Sequence, residues 1–172
     1  MPELPEVETT RRGIAPHIMG KRIREVIVRR RDLRQPISRS ITAVEGHRIR
    51  EVSRRSKYLL LSIDDNSTLL VHLGMSGSLR LANDADEWKK HDHLAICFGK
   101  SKQLRFHDPR RFGLVLRISG DPQKHPLLAS LGPEPLGDDF TADYLLNACS
   151  RRRAAIKLVI MDAKVVVGVG NI

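Results

Sequence analysis

Between Ile23 and Ile118 the apolar residues fall in short runs, several of them alternating with polar ones, and each run is rich in β-branched or leucine side chains. REVIVRR, HRIREVS, KYLLLSI, STLLVHL, GSLRLA, HLAICF, QLRFH and GLVLRI each read as a strand. Turn residues separate them, among them Asp64-Asp65-Asn66, Gly74, Gly77 and Asp108-Pro109. Eight such segments in succession predict an antiparallel sandwich or barrel. Residues 5–19 predict a helix: Pro5 suits a first turn, acids come early, Arg11 and Arg12 come later, and Gly20 ends it. Pro16 predicts a kink or an earlier stop.

Past the strands, LGPEPLGDDF at 131–140 is dense in Pro and Gly and marks a domain boundary. Helical patterns come after it. Thr141 is placed to cap ADYLLNAC, and Ser150 to cap RRRAAIKLVIMD, where Ile156, Val159 and Ile160 recur at helical spacing. Two helices and the closing VVVGVGNI offer little core of their own, so residues 132–172 are expected to be part of a larger domain, cut short in this chain.

The chain has 172 residues, enough for one domain or one domain plus part of another. No run approaches the roughly 18 apolar residues of a membrane span, and the acidic start lacks a signal-peptide pattern, so a cytoplasmic protein with no membrane partner is expected. Cys97 and Cys149 lie far apart and are expected to be reduced thiols rather than metal ligands. Charge changes the picture more. The net charge is +10, and residues 11–57 hold 15 Lys and Arg against Glu25, Asp32, Glu45 and Glu51. Such an excess points to a nucleic-acid partner, because each bound phosphate releases condensed counterions.

Four stretches carry candidate chemistry. In MPELPEVETT, removal of Met1 would leave Pro2 as a terminal secondary amine. Its reference pKa of about 7.7–8.0 calls for a proton acceptor, and Glu3 and Glu6 are close by; their other reading is as acids complementing a helix dipole. HLGMSGSL and HDPRRFG place Met75, Arg110 and Phe112 in turns, where an apolar wedge and its arginine could enter a DNA stack, or where Met75 and Phe112 could simply be strand-end core residues. KHDH sets His91 and His93 on one side of a strand, with His107 and Asp108 further along, which fits a phosphate contact or, alternatively, a metal-dependent hydrolase. GVGNI could let backbone N–H groups and the Asn171 amide approach a phosphate, or could merely end a helix.

PELPEVET, RRSKYLLL, HLGMSGSLR, KHDH, DPRRFG, LGPEPL and VVGVGNI, in that order, resemble bacterial formamidopyrimidine-DNA glycosylase along the whole chain. Leu4 in PELPE favours the oxidised-purine branch over the endonuclease VIII branch. The resemblance implies an α+β fold: an N-terminal antiparallel β-sandwich with an N-terminal helix over 1–131, then a truncated helix-two-turn-helix domain over 132–172. It implies a bifunctional glycosylase and abasic-site lyase, a monomer acting on damaged double-stranded DNA and removing 8-oxoguanine and formamidopyrimidines. Pro2 would be the Schiff-base nucleophile, Glu3 the acid/base, Glu6 a supporting carboxylate and Lys57 a proton donor in β-elimination. Met75, Arg110 and Phe112 would enter the helix when the lesion leaves, and His72, His91, Arg152, Lys157 and Asn171 would contact DNA. No cofactor is expected within these residues, whereas the full-length family carries one structural zinc in a four-cysteine finger. The rivals are a noncatalytic nucleic-acid-binding module, the metal hydrolase, and a pyrimidine-preferring sibling.

Overall fold

The structure, a computed structural model, describes residues 2–171. Helix α1 (Leu4–Ile18) turns Val7, Ile14, Ala15 and Ile18 inward at helical spacing. At its start Glu6 Oε2 accepts the Glu3 N–H at 2.9 Å, satisfying one of the donors that a helix N-terminus leaves open. Pro16 sits in the last turn, where its missing N–H costs a single helical bond, and the helix runs on to Ile18. Gly20, at φ +74°, then swings the chain away, its N–H reaching the Ile49 carbonyl.

All eight expected strands form: β1 (Ile23–Val28), β2 (Ile49–Arg55), β3 (Tyr58–Ile63), β4 (Ser67–His72), β5 (Ser78–Asn83), β6 (Asp92–Phe98), β7 (Lys102–His107) and β8 (Leu114–Ser119). They make two antiparallel four-stranded sheets, ordered β1-β6-β7-β5 and β2-β3-β4-β8. The fold is therefore a sandwich, not a barrel. A short 3₁₀ segment, Arg39–Val44, lies within the β1–β2 connection and adds Ile41 and Val44 to the core.

The alternation along each strand explains where the cores lie. In β3, Leu59, Leu61 and Ile63 face the interior shared by both sheets and α1, while Leu60 faces outward into a second cluster with Leu70, Leu114, Leu116 and Ile118. Leu128 from the one-turn helix α2 (Pro126–Ala129) covers that cluster. A strand buried on both faces reads as the unbroken apolar run seen in KYLLLSI.

Helix α3 (Ala142–Ser150) begins as its cap predicts, Thr141 Oγ1 accepting the Tyr144 N–H at 3.1 Å. The next helix departs from expectation. Helix α4 spans only Ile156–Ile160, and residues 151–155 form no helix. Ser150 belongs to α3, where its hydroxyl donates to the Asn147 carbonyl at 3.0 Å and so does not cap α4. Val165, Val166 and Val167 are buried, and the segment is stitched to residues 132–133 by Gly132 N–H to Ala163 O and Val167 N–H to Pro133 O. Among the described residues no helix is long and apolar enough to cross a membrane.

Candidate functional site

Pro2 is half-buried at the start of α1, and the chemistry beside it is assembled from three distant parts of the chain. Lys57 Nζ forms an ion pair with Glu3 Oε2, both side chains largely shielded from solvent. The GVGNI segment closes over the pair: a Cβ at Gly170 would overlap the Glu3 carboxylate, and one at Gly168, which holds φ +80°, would overlap Leu4. These glycines serve close approach rather than helix termination, and they bring the exposed Asn171 to the same end of α1. Whether Met1 is retained falls outside the described residues.

Lys57 owes its position to a tight hairpin. Ser56 and Lys57 are the two residues between β2 and β3, and Ser56 adopts φ +54°, unfavourable for a residue with a side chain. Glu134 compensates, accepting from the Ser56 N–H at 2.7 Å, from Arg54 at 2.8 Å and from Arg55 at 3.0 Å. Arg54 donates back to the Ser56 carbonyl and also to Glu8 on α1. Burial works to raise the Glu134 pKa, but the Ser56 N–H and the two guanidiniums outweigh it, and the pKa is lowered. Glu134 lies in the LGPEPL stretch that composition marks only as a boundary; nothing local to the motif announces its partner 78 residues away.

A cleft of about 420 Å³ opens next to β4, lined by Arg34, His72, Gly74, Met75 and Phe112. Met75 and Phe112 are each 42% exposed, so neither is a core residue. The Arg110 guanidinium stacks 4.9 Å from the Phe112 ring centroid. Buried Asp108 ties the two loops together: Oδ1 accepts from Ser76 Oγ at 2.8 Å, and Oδ2 accepts from the Gly113 N–H at 2.8 Å. Gly74, at φ +64°, lets the loops touch, since a Cβ there would overlap the backbone at Phe112 and Gly113.

His72 lines the cleft and lies near enough to Lys57 to feel its charge. Its Nδ1 accepts the Gly74 N–H at 2.9 Å, which fixes the tautomer with the proton on Nε2. Burial, with the charges of Arg34 and Lys57, holds its pKa down to about 4. It is a neutral hydrogen-bond donor at physiological pH. Arg34 carries no sequence signal beyond membership of the basic run, yet it lines the cleft and its N–H donates to the Arg111 carbonyl at 2.7 Å.

The other expected residues are spread more widely. His91 packs near His93 and His107, with ring centroids 6.3 and 5.9 Å away. His93 Nε2 bonds the Asp108 carbonyl at 2.7 Å, and His107 Nδ1 bonds buried Asp92 at 2.9 Å, so these imidazoles hold loops in place. Among the described residues no three His, Cys, Asp or Glu side chains gather as a metal-ligand group. Glu6 is exposed, engaged with the Glu3 N–H. Arg152 and Lys157 are exposed in the helical segment; Arg152 pairs with Asp162 at 3.1 Å, while no acid among the described residues pairs with Lys157.

Residues 1–115 match the family model of the formamidopyrimidine-DNA glycosylase N-terminal domain, and residues 131–172 that of the formamidopyrimidine-DNA glycosylase H2TH domain. The chain belongs to the formamidopyrimidine-DNA glycosylase family. It is 56% identical to the formamidopyrimidine-DNA glycosylase of Thioalkalivibrio sulfidiphilus and 52% identical to that of Teredinibacter turnerae, over 100% of this chain and 64% of each relative. The chain thus spans a little under two-thirds of the length of these relatives. Solved structures agree. The Lactococcus lactis formamidopyrimidine-DNA glycosylase, non-covalently bound to abasic-site DNA, superposes with a TM-score of 0.89 at 33% identity, covering 99% of this chain and 66% of that one. The same Lactococcus enzyme in complex with DNA containing N7-benzyl-Fapy-dG gives 0.90 at 34%, covering 99% and 64%. Mapped onto the formamidopyrimidine-DNA glycosylase family segments, Pro2, Lys57 and the Met75–Phe112 cleft fall in the N-terminal one, while Glu134, Gly170 and Asn171 fall in the H2TH one. Both segments build the surroundings of Glu3.

Proposed function

We propose that this chain carries the catalytic part of a base-excision-repair DNA glycosylase and abasic-site lyase acting on oxidised purines in duplex DNA. The observation that carries the reading is the Glu3–Lys57 ion pair, held beside Pro2 and sealed by Gly170. In this reading the secondary amine of processed Pro2 attacks C1′ of a flipped nucleotide and displaces the damaged base. Glu3 moves the proton that opens the sugar ring, leaving an iminium whose electron withdrawal acidifies the adjacent C2′–H. Loss of that proton expels the 3′ phosphate, and δ-elimination comes next. Lys57 donates protons during elimination, and Glu6 keeps the start of α1 in place.

Met75 and Phe112 fill the space the lesion leaves, with Arg110 facing the orphaned base, which offsets part of an unstacking cost of a few kcal/mol. His72, His91, Arg152, Lys157 and Asn171 hold the phosphate backbone, and phosphate contacts position a duplex without reading its sequence. The protein acts as a cytoplasmic, nucleoid-associated monomer, its catalytic sandwich ending at residue 131 and its helical domain beginning at 132. The structural zinc of the full-length family does not fit here. Buried Cys97 lies in β6 and half-buried Cys149 in α3, and among the described residues neither free thiol belongs to a metal-ligand group.

Borohydride trapping on a duplex with one abasic site, with mass analysis of the linked peptide, tests the reading. A reduced adduct on Pro2 is expected. Absence of an adduct both with this chain and with a chain extended past residue 172 would sink the Schiff-base mechanism and leave a DNA-binding module.

A further inference from the structure

A second surface lies at the opposite end of the sandwich. Pro2 and Glu3 directly precede helix α1, and Pro16 to Ile18 close it; its 15 residues, at about 1.5 Å each, separate those ends by about 22 Å. Strand β7 gives a second ruler. It runs from Lys102 to His107, where the Arg110–Phe112 loop departs, five rises of about 3.3 Å, or about 17 Å.

At this far end Pro16, His17, Lys21, Leu81, Phe98 and Lys102 enclose a pocket of about 380 Å³. Its floor is apolar and its rim cationic. No carboxylate lines it. Neither His17 nor Lys21 makes a side-chain hydrogen bond or ion pair with a described residue, and Lys102 Nζ has only the neutral Asn83 Oδ1 at 2.9 Å. Met19, between two of the lining positions, is 46% exposed, an apolar side chain left in water where the chain could have placed a polar one.

We infer that this pocket docks a short acidic peptide segment of a partner protein, an apolar side chain entering against Leu81 and Phe98 while its carboxylates meet Lys21 and Lys102. Charge complementarity selects the occupant's sign, and the apolar floor selects its class. DNA phosphates would satisfy the lysines but would leave the exposed Pro16 and half-buried Leu81 without an apolar partner, and Lys102 at the rim lies about 17 Å along β7 from His107, where the Arg110–Phe112 loop departs. An acidic segment ending in a large apolar residue uses both features, and the volume suits one such side chain.

Calorimetric titration of this chain with an acidic peptide ending Asp-Asp-Asp-Leu-Phe with a free carboxylate tests the proposal. Saturable one-to-one binding in the range of about 10–100 μM is expected. It weakens about tenfold in a Lys21→Glu, Lys102→Glu variant and again when Leu and Phe of the peptide become Ser. Amide NMR shifts should centre on Leu81 and Phe98. Equal affinity for the Ser peptide, shifts centred on Met75 and Phe112, or no saturation at millimolar peptide would each overturn it. Both lysines are exposed, so the variant keeps its fold, checked by its thermal midpoint. Borohydride trapping by the variant stays at the level of the unaltered chain, so failure here and failure of the glycosylase reading are separable.

Discussion

His72 acquires its character from where it is buried, not from its neighbours in sequence. A protein surface would leave its pKa near 6.5; burial and the nearby Arg34 and Lys57 charges bring it down to about 4. Between those two values the unfolded chain holds a proton on His72 and the folded chain does not. Lowering the pH therefore favours unfolding across that window, and above about 6.5 the contribution is constant. The expected loss by pH 4 is on the order of 2–3 kcal/mol. Urea unfolding at a series of pH values should show it, and His72→Gln should flatten the curve between pH 4 and 6.5 relative to the unaltered chain. An NMR titration midpoint above 6 for His72 would contradict the assignment. At this scale the sequence singled out Met75 and Phe112 through the turns around them, and His72 only through the family resemblance. It could not tell that both apolar side chains are exposed, because HLGMSG and DPRRFG are equally compatible with strand-end core positions until their glycines are seen in contact.

The hairpin between β2 and β3 shows what an element needs beyond its own residues. Its two-residue loop places Ser56 at a positive φ that glycine would adopt more readily, and the conformation persists because Glu134 receives the Ser56 N–H and the side chains of Arg54 and Arg55. Glu134→Ala leaves those donors without their acceptor and should destabilise the fold by about 1–3 kcal/mol in urea titration. Glu134→Gln, which keeps one acceptor oxygen, should fall between the two. If Glu134→Ala costs less than about 0.5 kcal/mol, the carboxylate does not hold the hairpin. The strands themselves were legible because alternation and turn residues are local signals. The start of the helix expected after Ser150 was not: it forms only over Ile156–Ile160, since Ser150 found an acceptor within α3 and the arginines at 151–153 have no apolar face to bury.

For the molecule as a whole, the +10 charge predicts DNA binding that weakens steeply with salt. Binding to an abasic-site duplex, measured by anisotropy across a salt series, should give a negative log–log slope. Lys157→Ala should make it shallower by about 0.9, as for one lost phosphate contact. Arg152→Ala should change it less, because Asp162 already holds that guanidinium at 3.1 Å. Equal and negligible effects of both would remove the helical segment from the interface.

What the sequence determined by itself was the inventory of strands, the first helix, the Thr141 cap, the basic character and, through seven ordered motifs, the family. Each of these rests on residues a few positions apart, whose hydrogen-bonding and side-chain period act locally. Tertiary structure decided that eight strands divide into two sheets, that Lys57 meets Glu3 across 54 positions, and that Gly170 closes on the same carboxylate. Those pairings come from burying the faces of both sheets and α1 in one core. That free energy belongs to the whole chain and is not written in any single stretch of it.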